Sequence, residues 1–155
     1  MERHKAIFLF LCIIGITLGF AVVAFSEPTY VGASKCKICH LFEYKSWQQT
    51  KHATAFDLLK DDEKKDEKCI KCHITGSVEN PGVQCEACHG AGSDFKTKNI
   101  MMDPEKRKAA GLIEKPDMKV CTKCHTPEGN PNFKEFKFEE RVKDPKGIHE
   151  HKKTE

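Results

Sequence analysis

A mainly α fold with much irregular loop, held together by covalently bound groups more than by a large apolar core, is the class this sequence predicts. Three observations predict it. One pentapeptide, Cys-x-x-Cys-His, is written four times: Cys36–Cys39–His40, Cys69–Cys72–His73, Cys85–Cys88–His89 and Cys121–Cys124–His125. Once an N-terminal leader is set aside, roughly 130 residues remain, or about 32 for each copy, too few to enclose four large groups in an ordinary core. Helix signals are strong, strand signals are weak, and the turn residues are many.

The pentapeptide attaches c-type haem. Two thiols on adjacent turns add to the haem vinyl groups and fix the macrocycle by thioether bonds. The following His is held under the iron as its proximal ligand. Four copies predict four haem c groups and a compact multihaem cytochrome c fold built around them. Cys-x-x-Cys pairs also build zinc sites, and the twelve residues between Cys72 and Cys85 are a ribbon-like spacing. Redox dithiols use the same pair, and a disulfide framework suits an exported chain. None of these explains a His directly after every second Cys.

Residues 6–25 form an apolar run preceded by Arg3 and Lys5, and Ala24-Phe25-Ser26 offers a small-x-small cleavage site. Residues 1–26 are expected to be a secretory signal, with 27–155 the tetrahaem domain. The run is also just long enough to span a bilayer, so membrane attachment through residues 6–25 is the alternative. Cys12 inside it reads as a signal-core residue. Either way the haem-bearing part lies outside the cytoplasm, in a periplasm or on the outer face of the cell membrane. The formal charge of +3 is a poor guide to partners. Four haems bring about eight propionates that the composition omits. Nothing in the sequence points to nucleic-acid binding.

In chain order, Leu41 to Lys60 reads as two helical pieces. The first carries Leu41, Phe42, Tyr44 and Trp47 on roughly one face, and Thr50 caps the second, His52 to Leu59. Trp47 is expected to pack against a haem face. Residues 61–68 are all charged, a solvated connector or helix face. Thr75-Gly76-Ser77 and Asn80-Pro81-Gly82 are turns between the second and third motifs. Pro104 starts a short helix through Ala110, with Gly111 as its stop. Phe133, Phe136, Phe138 and Val142 form an apolar stripe, broken by Pro145 and Gly147 before Ile148-His149-Glu150-His151.

The histidine count limits how the irons are completed. There are eight. Four are proximal and His4 lies in the leader. His52, His149 and His151 remain as distal candidates for four irons. One iron at least must take Met, a neighbouring chain's residue, or no sixth ligand. Met101 and Met102 draw attention for this reason. Two strong ligands give an electron-transfer haem; an open side admits small-molecule chemistry.

These residues resemble the tetrahaem cytochrome c-554 family, electron acceptors of hydroxylamine oxidoreductase in ammonia oxidisers. The resemblance rests on the first haem motif, Ser46-Trp47, Thr50-Lys51-His52-Ala53, the stretch from Gly82 to Gly92 with Phe95, Phe136 to Glu139, and Ile148 to His151. It implies haems stacked in pairs, first with third and second with fourth. It further implies His52 as distal ligand of haem 3, His149 as that of haem 4, and an open distal side at haem 2. The family's distal His for haem 1 falls near Asn99 here, where none exists, so Met101 or Met102 is expected in its place.

The function expected is electron transfer between a redox donor and a redox acceptor, by a carrier more than an enzyme. Lys-rich segments 60–68 and 96–108 offer a docking surface. The rival readings are reduction of nitric oxide or a similar molecule at an open haem 2, and a subunit of a haem filament in which a neighbour completes an iron.

Overall fold

The computed structural model describes residues 26–128 and 130–152. The expected leader, with Cys12 and His4, lies outside these residues. No helix among those described is long and apolar enough to cross a membrane.

The architecture is a chain of short helices joined by turns, with one small β pair. Helix α1 (Ala33–Cys36) and helix α2 (Leu41–Trp47) flank the first motif, and His40 is the N-cap of α2. Helix α3 (Glu67–His73) carries the second motif. Its N-cap is Asp66, whose carboxylate accepts from the Lys68 N–H at 2.9 Å, so the charged run of 61–68 supplies a helix start. Strands β1 (Ile74–Thr75) and β2 (Ser77–Pro81) pair antiparallel, with Ile74 opposite Pro81 and Thr75 opposite Ser77. Helix α4 (Cys85–His89) carries the third motif. Helices α5 (Lys98–Met101) and α6 (Pro104–Ala109) follow, then α7 (Met118–Cys121) at the fourth motif and α8 (Phe138–Arg141).

The expected second helix after α2 is replaced by turns and a single 3-10 turn, Ala55–Leu58. The cause is tertiary. The His52 carbonyl is shared: it accepts the Ala55 N–H at 3.3 Å, closing only a tight turn, and the distant Val83 N–H at 2.8 Å. Thr50 caps a turn instead: its hydroxyl donates to the Trp47 carbonyl at 2.7 Å and accepts from the Ala53 N–H at 3.4 Å. The helix at Pro104 forms as expected. Asp103 accepts from the N–H groups of Glu105 and Lys106, both at 3.1 Å, and Gly111 follows the helix end with φ of 89°. The Phe stripe is helical only over α8.

Among the described residues only Ala33, Ala55 and Phe95 are buried apolar side chains. Ile38, inside the first motif, is 77% exposed, and Leu41, Phe42, Leu58, Ile113 and Val142 are exposed too. A chain with so small a core cannot balance its folding entropy by protein contacts alone. Large apolar groups at the four motifs are what these side chains have to cover. That is the mainly α, loop-rich, haem-built fold the sequence predicts.

Candidate functional site

Motif 3 is the most tightly positioned of the four. Thr75, 1% exposed, sits at the centre of its approach: its hydroxyl donates to the Gly82 carbonyl at 3.0 Å and accepts from the Gln84 N–H at 2.8 Å. The Gln84 side chain then accepts from the Ala33 N–H at 2.7 Å. The Glu86 carboxylate accepts from Val31 N–H at 2.9 and 3.1 Å, Gly32 N–H at 2.7 Å and Gly92 N–H at 2.6 Å. Motif 3 is thereby fastened to the segment that enters motif 1. Their first cysteines are neighbours, which holds the Cys36 thiol below its ordinary value and, together with burial, pushes Cys85 above it.

The other motifs connect in the same way. Burial and the neighbouring Cys72 and Cys88 push the Cys124 thiol up to about 12. Burial raises Cys88, and Cys121 beside it adds to the effect. Cysteines of motifs 1 and 3, of motifs 3 and 4 and of motifs 4 and 2 are thus neighbours.

Two proximal rings are oriented by backbone carbonyls. His73 Nδ1 lies 2.6 Å from the Ala55 carbonyl, and His89 Nδ1 lies 2.7 Å from the Ile113 carbonyl. Each ring then donates from Nδ1, which leaves Nε2 as the nitrogen that an iron would take. Ile113 also donates its N–H to the His89 carbonyl at 3.0 Å, so it grips the residue twice. The loop carrying Ile113 is tied by the Arg107–Glu114 ion pair at 2.6 Å.

Beyond these rings stand the second histidines. The His52 ring centroid is 6.1 Å from that of His125, and His149 is 6.0 Å from His89. Two imidazoles facing each other across one metal ion, each bonded at about 2.0–2.1 Å, place their centroids roughly 6 Å apart. His52 stands at motif 4 and His149 at motif 3. The reason is the tail: the Ser46 hydroxyl accepts from Glu150 N–H at 2.7 Å and Glu43 from Lys152 N–H at 3.1 Å, so the tail crosses α2 toward motifs 1 and 3. Burial lowers the pKa of His52 and of His89, favouring the neutral ring that a metal needs. His125 is lowered by burial and by Arg141, and the Phe136 ring meets it edge-on at 5.0 Å. Glu135, Phe136, Lys137, Glu140, Arg141 and Asp144 line a cleft of about 620 Å³ at this place.

His151 lies 4.7 Å from His149, beside motif 3, and so is not brought to a further motif. Among the described residues no ring contact pairs His40 or His73 with another histidine. Met101 ends α5, its carbonyl accepting from Arg107 Nη1 at 3.1 Å, and Met102 is 73% exposed. Trp47 donates from Nε1 to the Val83 carbonyl at 2.8 Å. Sequence reasoning missed Glu86, Gln84 and Thr75 as fasteners. The one signal was a Glu and a Gln flanking Cys85.

The donor set suits haem c at every motif: paired cysteines, a following histidine with an oriented ring at motifs 2 and 3, and uncovered apolar side chains around them. Comparison with known proteins agrees. Residues 35–90 match the family model described as cytochrome c554 and c-prime. The chain is similar to cytochrome c-554 of Nitrosomonas europaea, at 28% identity covering 90% of this chain and 82% of the relative. Its fold is similar to the solved reduced-state structure of that cytochrome, with a TM-score of 0.64 and 28% identity over 81% of this chain and 87% of the other.

Proposed function

We propose that this chain, a tetrahaem c-type cytochrome of the c-554 type, transfers electrons outside the cytoplasm between two redox proteins that dock at opposite ends of a row of haems. Electron transfer by a c-type cytochrome is the function its relatives share. The extracytoplasmic setting and the two docking ends are the reading offered here. The row follows the sulfur neighbours, 1–3–4–2. Haem iron supplies the one-electron chemistry; the protein supplies ligands, spacing and burial.

Each motif holds a haem through its two cysteines, with His40, His73, His89 and His125 as proximal ligands. His149 completes the iron at motif 3 and His52 that at motif 4. The observation that carries this is the pair of ring separations, 6.0 and 6.1 Å. Met101 or Met102 completes haem 1, and haem 2 keeps an open side. Different ligand sets spread the four potentials, which suits a conductor with distinct entry and exit points.

The test is a pair of variants, His52→Ala and His149→Ala, followed by electron paramagnetic resonance of the ferric protein. Each should convert one low-spin haem to high-spin. The signal lost in His52→Ala should be the one that Phe136→Leu perturbs, because Phe136 touches His125. Perturbation of the signal lost in His149→Ala instead would restore the pairing first expected. The open haem 2 supports one further reading, reduction of a small molecule there. Steady turnover of nitric oxide with a reductant would establish it; binding without turnover would leave the carrier.

A further inference from the structure

We infer that Glu86 is a positioning residue that also sets potential: a buried fixed charge, built into motif 3, that holds the haems of motifs 1 and 3 together and favours their oxidised state. The inference rests on the haem assignment above.

The argument starts from burial. Glu86 is 2% exposed. An ionised carboxylate taken out of water costs several kcal/mol unless it is compensated. Among the described residues no ion pair includes it. Its compensation is three backbone N–H groups: Val31 and Gly32 before motif 1, and Gly92 after motif 3. Every partner is a donor, which suits the acceptor-only carboxylate form. Gly92 has a reason to be glycine here, since an added Cβ would lie 2.8 Å from Glu86 Oε1.

Fastening alone does not need a charge. Two residues away, Gln84 makes an equivalent bond to Ala33 N–H with a neutral amide, also at 2.7 Å. The charge must therefore be judged by what lies around it. Glu86 directly follows Cys85, and its carboxylate takes the Val31 and Gly32 N–H groups on the approach to Cys36, so it sits at the junction of the two motifs. A negative charge in a poorly screened site stabilises the more positive of two oxidation states. Ferric haem carries one positive charge more than ferrous. Net charge and burial are recognised levers on haem potential, and Glu86 supplies both to one pair and not to the other.

The experiment is spectroelectrochemical titration of the four-haem protein in wild type, Glu86→Gln, Gln84→Ala and Gln84→Glu. Glu86→Gln should raise the midpoints of two haems by at least a tenfold change in the one-electron equilibrium, about 59 mV, and leave the other two. Gln84→Ala removes a fastener without removing charge and should shift none. Gln84→Glu adds a charge at the same junction and should lower the same two. Unmoved midpoints in Glu86→Gln overturn the inference, as does an equal shift in Gln84→Ala. If Glu86→Gln loads fewer than four haems, Gln84→Glu decides, and no downward shift there is the negative result. Wild-type protein with fewer than four haems would instead contradict the cytochrome reading, so the two failures are distinct.

Discussion

Motifs 3 and 4 are built from the same five-residue pattern as motifs 1 and 2, yet they stand in different surroundings. Each inner histidine faces a second imidazole, His149 across from His89 and His52 across from His125. Neither outer histidine does, among the described residues. The second rings arrive from distant segments. His52 is held by the Val83 N–H on its carbonyl, and His149 rides on a tail fastened to Ser46 and Glu43 of α2. A local motif therefore fixes where a haem attaches. Which second ring stands beside its histidine is decided by chain segments tens of residues away.

That contrast is best broken at the second histidines. His52→Ala and His149→Ala should each turn one inner haem fully high-spin while the other inner haem stays low-spin, as read by electron paramagnetic resonance. Next in size is the outer site of motif 1. Replacing Met101 and Met102 together by Ala should convert one further haem to high-spin and abolish a His/Met charge-transfer band in the near infrared. An unchanged spectrum would remove methionine from the outer site.

Smaller effects sharpen the comparison through the scaffold. Gly82 has φ of 82°, and an added Cβ would lie 2.5 Å from the Ala53 carbonyl oxygen. Gly82→Ala should destabilise the fold by about 1–3 kcal/mol or more, measured by denaturant titration, and should loosen His52 before it affects His149. Trp47→Phe keeps the ring but removes its bond to the Val83 carbonyl, costing about 1 kcal/mol. Ser46→Ala is the mildest: loss of the bond to Glu150 N–H costs about 0.5–1.5 kcal/mol and should weaken ligation at motif 3 alone. A loss at motif 4 would show that the tail serves both inner sites.

The residues explain what was legible in the sequence. The four attachment motifs were, because their spacing is local chemistry. So were Pro104 at a helix start and the charged run 61–68 as a solvated connector. The helix expected after Thr50 was not formed, since the His52 carbonyl is drawn to Val83, thirty-one positions on. The place of His149 beside His89 was hidden for the same kind of reason: a tail's path depends on bonds to Ser46 and Glu43 that no periodicity records. Glu86 was hidden because a charged residue between two cysteines gives no sign of burial. Its three N–H partners lie on backbone, where side-chain chemistry is silent.

The central claim is that two inner haems are completed by histidine and two outer ones are not. Near-infrared magnetic circular dichroism of the ferric protein, with electron paramagnetic resonance on the same sample, tests it most directly. The account predicts two bis-histidine haems, one haem with a His/Met charge-transfer band, and one high-spin haem. Four low-spin haems without a His/Met band and without a high-spin signal would contradict it, and would require ligands from a neighbouring chain.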